Sequence, residues 1–134
     1  MLGQSVGEIR GQAIGRRIIE EEGQGPGMEV TDEGSGTLLG VNVRQTVTYV
    51  GHMRPDGHLA GEGTGLVMTA DGEGGMFRGR GVGKLTASGA VSWRGLLLYE
   101  MGSGKLAALN GMAVLFEYEI DETGKSVGTF YEWK

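Results

Sequence analysis

Apolar and polar residues along this chain alternate with a period of two over long stretches, and no 3.6-residue period is sustained. Turn signals interrupt the alternation at regular intervals: "RPDG" (Arg54 to Gly57), "DGEG" (Asp71 to Gly74), "TASG" (Thr86 to Gly89), "GSG" (Gly102 to Gly104) and "DETG" (Asp121 to Gly124). Pro presets φ for the first central turn position and Gly accepts a positive φ, so each marks a tight reversal. The pattern predicts eight antiparallel strands, at about residues 5–22, 28–39, 42–53, 58–70, 75–85, 90–101, 105–120 and 125–133. The boundary within "LLGVN" (Leu38 to Asn42) is the weakest. Gly7, Gly11 and Gly15 recur every four residues, which would also suit a short helix. Three glycines would each cost a helix about 1 kcal/mol against Ala, so a strand is preferred. An open sheet of eight strands would leave two bare edges; closing into an up-and-down barrel removes them.

The fourth hairpin carries the most specific information. The odd positions of strand 58–70 include Gly61, Gly63 and Gly65, and those of strand 75–85 include Phe77, Gly79, Gly81 and Gly83. The turn Asp71-Gly72-Glu73 pairs odd with odd, so the two glycine rows should face each other. The next strand presents Trp93, Leu97 and Tyr99 on the same parity. Each glycine weakens a strand by roughly 0.5–1 kcal/mol, which points to a need for space. The space serves either large rings or a ligand. The even positions, including Glu62, Arg78, Arg80 and Arg94, read as the outer wall, with a polar lumen for an anionic substrate as the alternative.

"RGRGVGKLT" (Arg78 to Thr86) superficially resembles a phosphate loop. A P-loop needs Gly at the position of Arg78 and a hydroxyl residue at that of Leu85. Neither is present, and alternating Gly79, Gly81 and Gly83 belong to a strand. His52 and His58 flank the "RPDG" turn near Asp56, but a third metal ligand at a fixed spacing is missing, so no metal is expected. In "LAALNGMAVLFEYEID" (Leu106 to Asp121), Asn110-Gly111 breaks the pattern as a bulge would. From Met112 onward, Met112, Val114, Phe116, Tyr118 and Ile120 share one face. Which way that face points depends on the bulge.

At 134 residues the chain reads as one domain, residues 1–134, and 39% hydrophobic content sets it apart from disordered glycine-rich chains. A net charge of −5 without a basic block argues against nucleic acid, and no Cys is available for disulfides or thiol chemistry. The start, "MLGQSVGEIR", lacks the apolar core of a signal peptide, and no stretch suits a membrane-spanning helix; a cytoplasmic protein is expected.

"RPDG", "GEGTG" (Gly61 to Gly65), "GRGVGK" (Gly79 to Lys84), "LAALNGMAVLFEYEID" and "YEW" (Tyr131 to Trp133) together resemble an uncharacterised bacterial and archaeal family of small proteins with an allene oxide cyclase-like β-barrel. The resemblance runs from about Met28 onward. It implies an eight-stranded antiparallel barrel, and it raises cofactor-free cyclisation of a fatty-acid-derived epoxide as a chemistry of that class. No site residue of that class is matched here, and no catalytic motif is present. The expectation is a small apolar ligand, fatty-acid-like or polycyclic, in a barrel pocket formed by Phe77, Gly81, Trp93, Leu97 and Tyr99. His52, His58 or Arg94 would orient its polar head at the rim, without a cofactor. A cofactor-free isomerase or cyclase, and a structural or homo-oligomer-forming protein, are the alternatives.

Overall fold

The computed structural model describes residues 2–134 and is a closed barrel in which each strand pairs with its sequence neighbours and the last returns to the first. The strands are β1 (Leu2–Glu21), β2 (Gly25–Leu38), β3 (Val41–Met53), β4 (Leu59–Thr69), β5 (Gly74–Leu85), β6 (Val91–Met101), β7 (Ala113–Ile120) and β8 (Lys125–Trp133), all antiparallel to their neighbours. β1 closes the barrel against β8 through pairs from Leu2↔Trp133 to Gln12↔Lys125. Hairpin connections alone suffice for this topology, as expected when turn chemistry recurs at even spacing.

The register between β4 and β5 sets Gly61 opposite Gly81, Gly63 opposite Gly79 and Gly65 opposite Phe77. β6 continues the row with Gly95 opposite Gly81, Trp93 opposite Gly83 and Leu97 opposite Gly79. This parity faces inward: Phe77, Trp93, Leu97 and Tyr99 are all buried. β7 joins it with buried Val114 and Ile120, which settles the direction of the Val114, Phe116 and Tyr118 face. The even residues of β4 to β6 form the outer wall. Glu62 meets Arg80 at 3.6 Å, Arg78 meets Glu100 at 3.8 Å, and Arg94 meets Glu117 at 3.4 Å and Glu119 at 2.7 Å. Such exposed pairs contribute about 0–1 kcal/mol each.

Two places differ from the sequence expectation. The expected strand 105–120 begins only at Ala113, and Ala107–Gly111 is a short 3₁₀ helix. The Asn110 carboxamide causes the break. Its Oδ1 accepts from the Met101 N–H at 2.6 Å and its Nδ2 donates to the Met101 carbonyl at 3.0 Å, pinning the segment to the end of β6. Leu106 and Leu109 thereby turn inward, are almost wholly buried and cap that end of the barrel. The other difference is the β2–β3 turn, which consists of Leu39 and Gly40 alone. Both have positive φ, 50° and 77°, as a two-residue hairpin with the twist of its strands requires. Leu39 tolerates this because its side chain packs on the core and its N–H donates to the Val6 carbonyl at 2.8 Å.

Candidate functional site

The glycine rows are occupied by rings. A Cβ on Gly51, Gly61 or Gly83 would lie 3.1, 2.8 or 2.9 Å from the Trp93 ring, so the indole spans three strands on a floor without side chains. Gly65 yields space to Phe77, Gly79 to Leu97, Gly95 to Phe116 and Gly128 to Phe130. The inner aromatic residues then meet edge to face. The Tyr49 ring centroid is 5.9 Å from that of Trp93 at 75°, and 5.8 Å from that of Tyr118 at 84°. Phe77 and Tyr99 stack at 5.3 Å with a 48° tilt. These offset geometries suit the ring quadrupoles and add rigidity to the wall.

A chamber of about 80 Å³ remains between these rings. Phe77, Gly81, Trp93 and Leu97 line it, joined by Val47, Tyr49, Phe116, Tyr118, Phe130 and Gln45. Tyr99 is buried behind Phe77, and its hydroxyl has no hydrogen-bond partner. None of the three residues expected at the rim lines the chamber. Arg94 is on the outer wall with Glu117 and Glu119, because its parity in β6 is opposite to that of Trp93. His52 lies on the outer face of β3, where its ring covers Gly27 and its Nε2 is 3.5 Å from Glu21. His58 sits in the turn before β4, exposed, with Nδ1 3.3 Å from Asp56. Among the described residues no group of three or more His, Cys, Asp or Glu is placed to hold a metal ion.

Polar groups of the interior come from residues that the sequence pattern had not singled out. Gln45 enters from β3, and its Oε1 is buried without a partner. Asp32 of β2 is only 4% exposed, and the Tyr118 hydroxyl donates to its Oδ2. Burial pushes the Tyr118 hydroxyl far above the ordinary phenol range, and its neighbours Tyr49 and Asp32 push it in the same direction. Tyr49 is pushed up to about 12, chiefly by burial. Desolvation alone raises Tyr99. All three phenols therefore stay neutral donors through the physiological range. A polar residue on the inward parity of a glycine-flanked strand was the one available signal for Gln45 and Asp32.

Among the described residues no helix is long and apolar enough to cross a membrane. No family model matches the chain, and no curated protein matches it significantly. Solved structures do resemble it. A protein of unknown function from Clostridium acetobutylicum aligns with a TM-score of 0.83 at 14% identity, covering 100% of both chains. A conserved protein of unknown function from Rhodopseudomonas palustris aligns with a TM-score of 0.80 at 14% identity, over 98% of this chain and 97% of that one. At this identity the likeness establishes the barrel fold.

Proposed function

We propose that the barrel binds a small, largely apolar molecule carrying one hydrogen-bond donor. The observation that carries this reading is the chamber itself, lined mostly by rings, aliphatic side chains and glycines, with Gln45 among its lining residues and the Gln45 Oε1 a buried acceptor with no partner. Leaving such a group unpaired costs about 1–3 kcal/mol, and a ligand hydroxyl or N–H would recover it once the Gln45 carboxamide turns toward the chamber. The chamber limits the ligand. Its volume of about 80 Å³ is well below the roughly 150 Å³ cavity that admits benzene. A chain of fatty-acid length does not fit, because the rings already fill the space that the glycines clear. A compact alcohol or amine fits, and a ring-sized one requires Trp93 or Phe116 to shift.

Trp93 reports binding directly, once Trp133 is replaced by Phe to remove the exposed fluorophore. Short-chain alcohols and phenol should change Trp93 emission saturably in that background. Val47→Phe, which fills the chamber from β3, should abolish the change, and Gln45→Met should weaken it by about tenfold for alcohols while sparing their apolar analogues. Absence of any saturable change would refute the reading. Gly81→Leu is the poorer probe, because a Cβ there would lie 2.6 Å from the Arg94 carbonyl oxygen and displace backbone.

A second reading, cofactor-free isomerisation, draws on the Asp32–Tyr118 pair. Tyr118 lines the chamber and Asp32 does not, so the phenol would relay: its oxygen takes a proton from a ligand carbon next to a carbonyl as its own proton passes to Asp32, and the reverse transfer returns a proton. The turns and glycines that resemble allene oxide cyclase barrels support a relationship to that class, as does the closed eight-stranded barrel itself. Deuterium exchange into a small ketone, catalysed by the native chain and lost in Asp32→Asn, would favour catalysis over binding. With its acidic balance and no basic block, the chain is proposed to act in the cytoplasm and away from nucleic acid.

A further inference from the structure

β1 outruns its neighbour. Its ladder with β8 stops at Gln12↔Lys125, followed by one bond from the Ala13 N–H to the Gly124 carbonyl at 2.8 Å. Its ladder with β2 continues to Glu21↔Gly25. From Ile14 to Glu21 the strand therefore has a bare edge in a barrel that is otherwise closed.

The direction of the backbone groups on that edge follows from the turn. The Gln24 N–H donates to the Glu21 carbonyl at 3.1 Å, which aims the polar groups of Glu21 toward β2. Alternation then aims those of Ile19 and Arg17 the same way, and leaves the N–H and C=O of Arg16, Ile18 and Glu20 pointing outward. Pro26 agrees: it stands opposite Glu20 and has no N–H to give. The side chains of Arg16, Ile18 and Glu20 also share one face, on the parity that meets Val30, Met28 and Pro26. Ile18 is 74% exposed, more than any other large apolar residue described. Arg17 is already paired with Glu29 at 3.0 Å, whereas Arg16 and Glu20 form no ion pair among the described residues.

We propose that this edge pairs with the same edge of a second copy of the chain, antiparallel, about a two-fold axis through Ile18. Only outward-pointing residues can face one another in close antiparallel pairs, and of the registers this allows, Ile18 against Ile18 is the one that sets Arg16 against Glu20 in each direction. Three such pairs exchange two backbone bonds apiece. The charges left without partners in one chain find each other in two, and the most exposed apolar side chain is covered between them. A parallel arrangement would set Arg16 on Arg16 and Glu20 on Glu20, which like-charge repulsion disfavours. Paired this way the two edges consume each other, so assembly closes at the dimer. Mixed charges on a bare edge commonly block association; here their order is self-complementary, which selects the second copy over a foreign strand.

Sedimentation equilibrium on the whole chain tests this. A monomer–dimer equilibrium is expected, weakening with salt as exposed ion pairs do. Ile18→Pro removes an outward N–H without touching the β1–β2 ladder, and should leave a monomer with the native circular dichroism spectrum. Arg16→Glu and Glu20→Arg should each weaken the dimer by about tenfold or more alone. Mixed together, these two variants should form a heterodimer. The two introduced charges are opposite and face each other across the axis, and so do the native Arg16 of one copy and the native Glu20 of the other. This mixture keeps the test decisive if Ile18→Pro does not fold. A wild-type chain that stays monomeric at millimolar concentration overturns the proposal. So does a dimer indifferent to both charge reversals, or a mixture that associates no better than its components.

Discussion

The Tyr118 hydroxyl donates to the Asp32 carboxylate across 86 positions of sequence, joining β7 to β2 over the two strands that close the barrel. Tyr118→Phe leaves a buried carboxylate short of a donor and should cost about 1–3 kcal/mol in urea unfolding. Asp32→Asn, which keeps shape but loses charge, should cost less. The double variant should cost less than the sum of the two, because the second change removes a group already stranded by the first. Strict additivity would show that the bond contributes nothing to stability.

The indole floor gives a steric prediction. A methyl on Gly61 would lie 2.8 Å from the Trp93 ring and 3.2 Å from the Val50 carbonyl oxygen. Gly61→Ala should destabilise the barrel by about 1–3 kcal/mol through overpacking. In a Trp93→Leu background the same change should cost distinctly less, and equal costs in the two backgrounds would contradict the packing described.

The buried phenols set an alkaline limit. Tyr49, Tyr99 and Tyr118 all have hydroxyls raised above the ordinary phenol value of 10.0 by burial, Tyr49 to about 12. Above pH 10 the unfolded chain loses these protons while the folded chain keeps them. The folded state then binds more protons, so stability falls as pH rises. The contribution is complete below pH 10, and that of Tyr49 is lost through about pH 12. Tyrosinate absorbance followed with pH should rise in step with loss of the far-ultraviolet signal. Free titration of these phenols in an intact barrel would be inconsistent with their burial.

Asn110 holds the capping segment through two bonds to Met101. Asn110→Ala should cost about 1–3 kcal/mol and raise hydrogen exchange at the Met101 amide. Unchanged protection there would place the cap's stability in Leu106 and Leu109 alone.

The strand order, the hairpins and the inward row of Phe77, Trp93, Leu97 and Tyr99 were legible in the sequence, because turn chemistry and a period of two act over a few residues. The odd-with-odd pairing of Gly61 with Gly81 followed from the length of a single turn. Other features depend on strands far apart in sequence. Arg94 was expected at the rim, yet one residue of parity puts it on the outer wall with Glu117 and Glu119. The 3₁₀ cap exists because Asn110 finds the Met101 backbone, and local pattern cannot distinguish that pairing from a bulge. Asp32 and Tyr118 become partners only when β8 and β1 bring β7 and β2 around the barrel. The free volume is the clearest case: glycine spacing tells how much space the backbone yields, but whether rings or ligand take it depends on side chains from several strands converging. Trp93, Phe116 and Phe130 converge there, and a chamber of about 80 Å³ is what they leave.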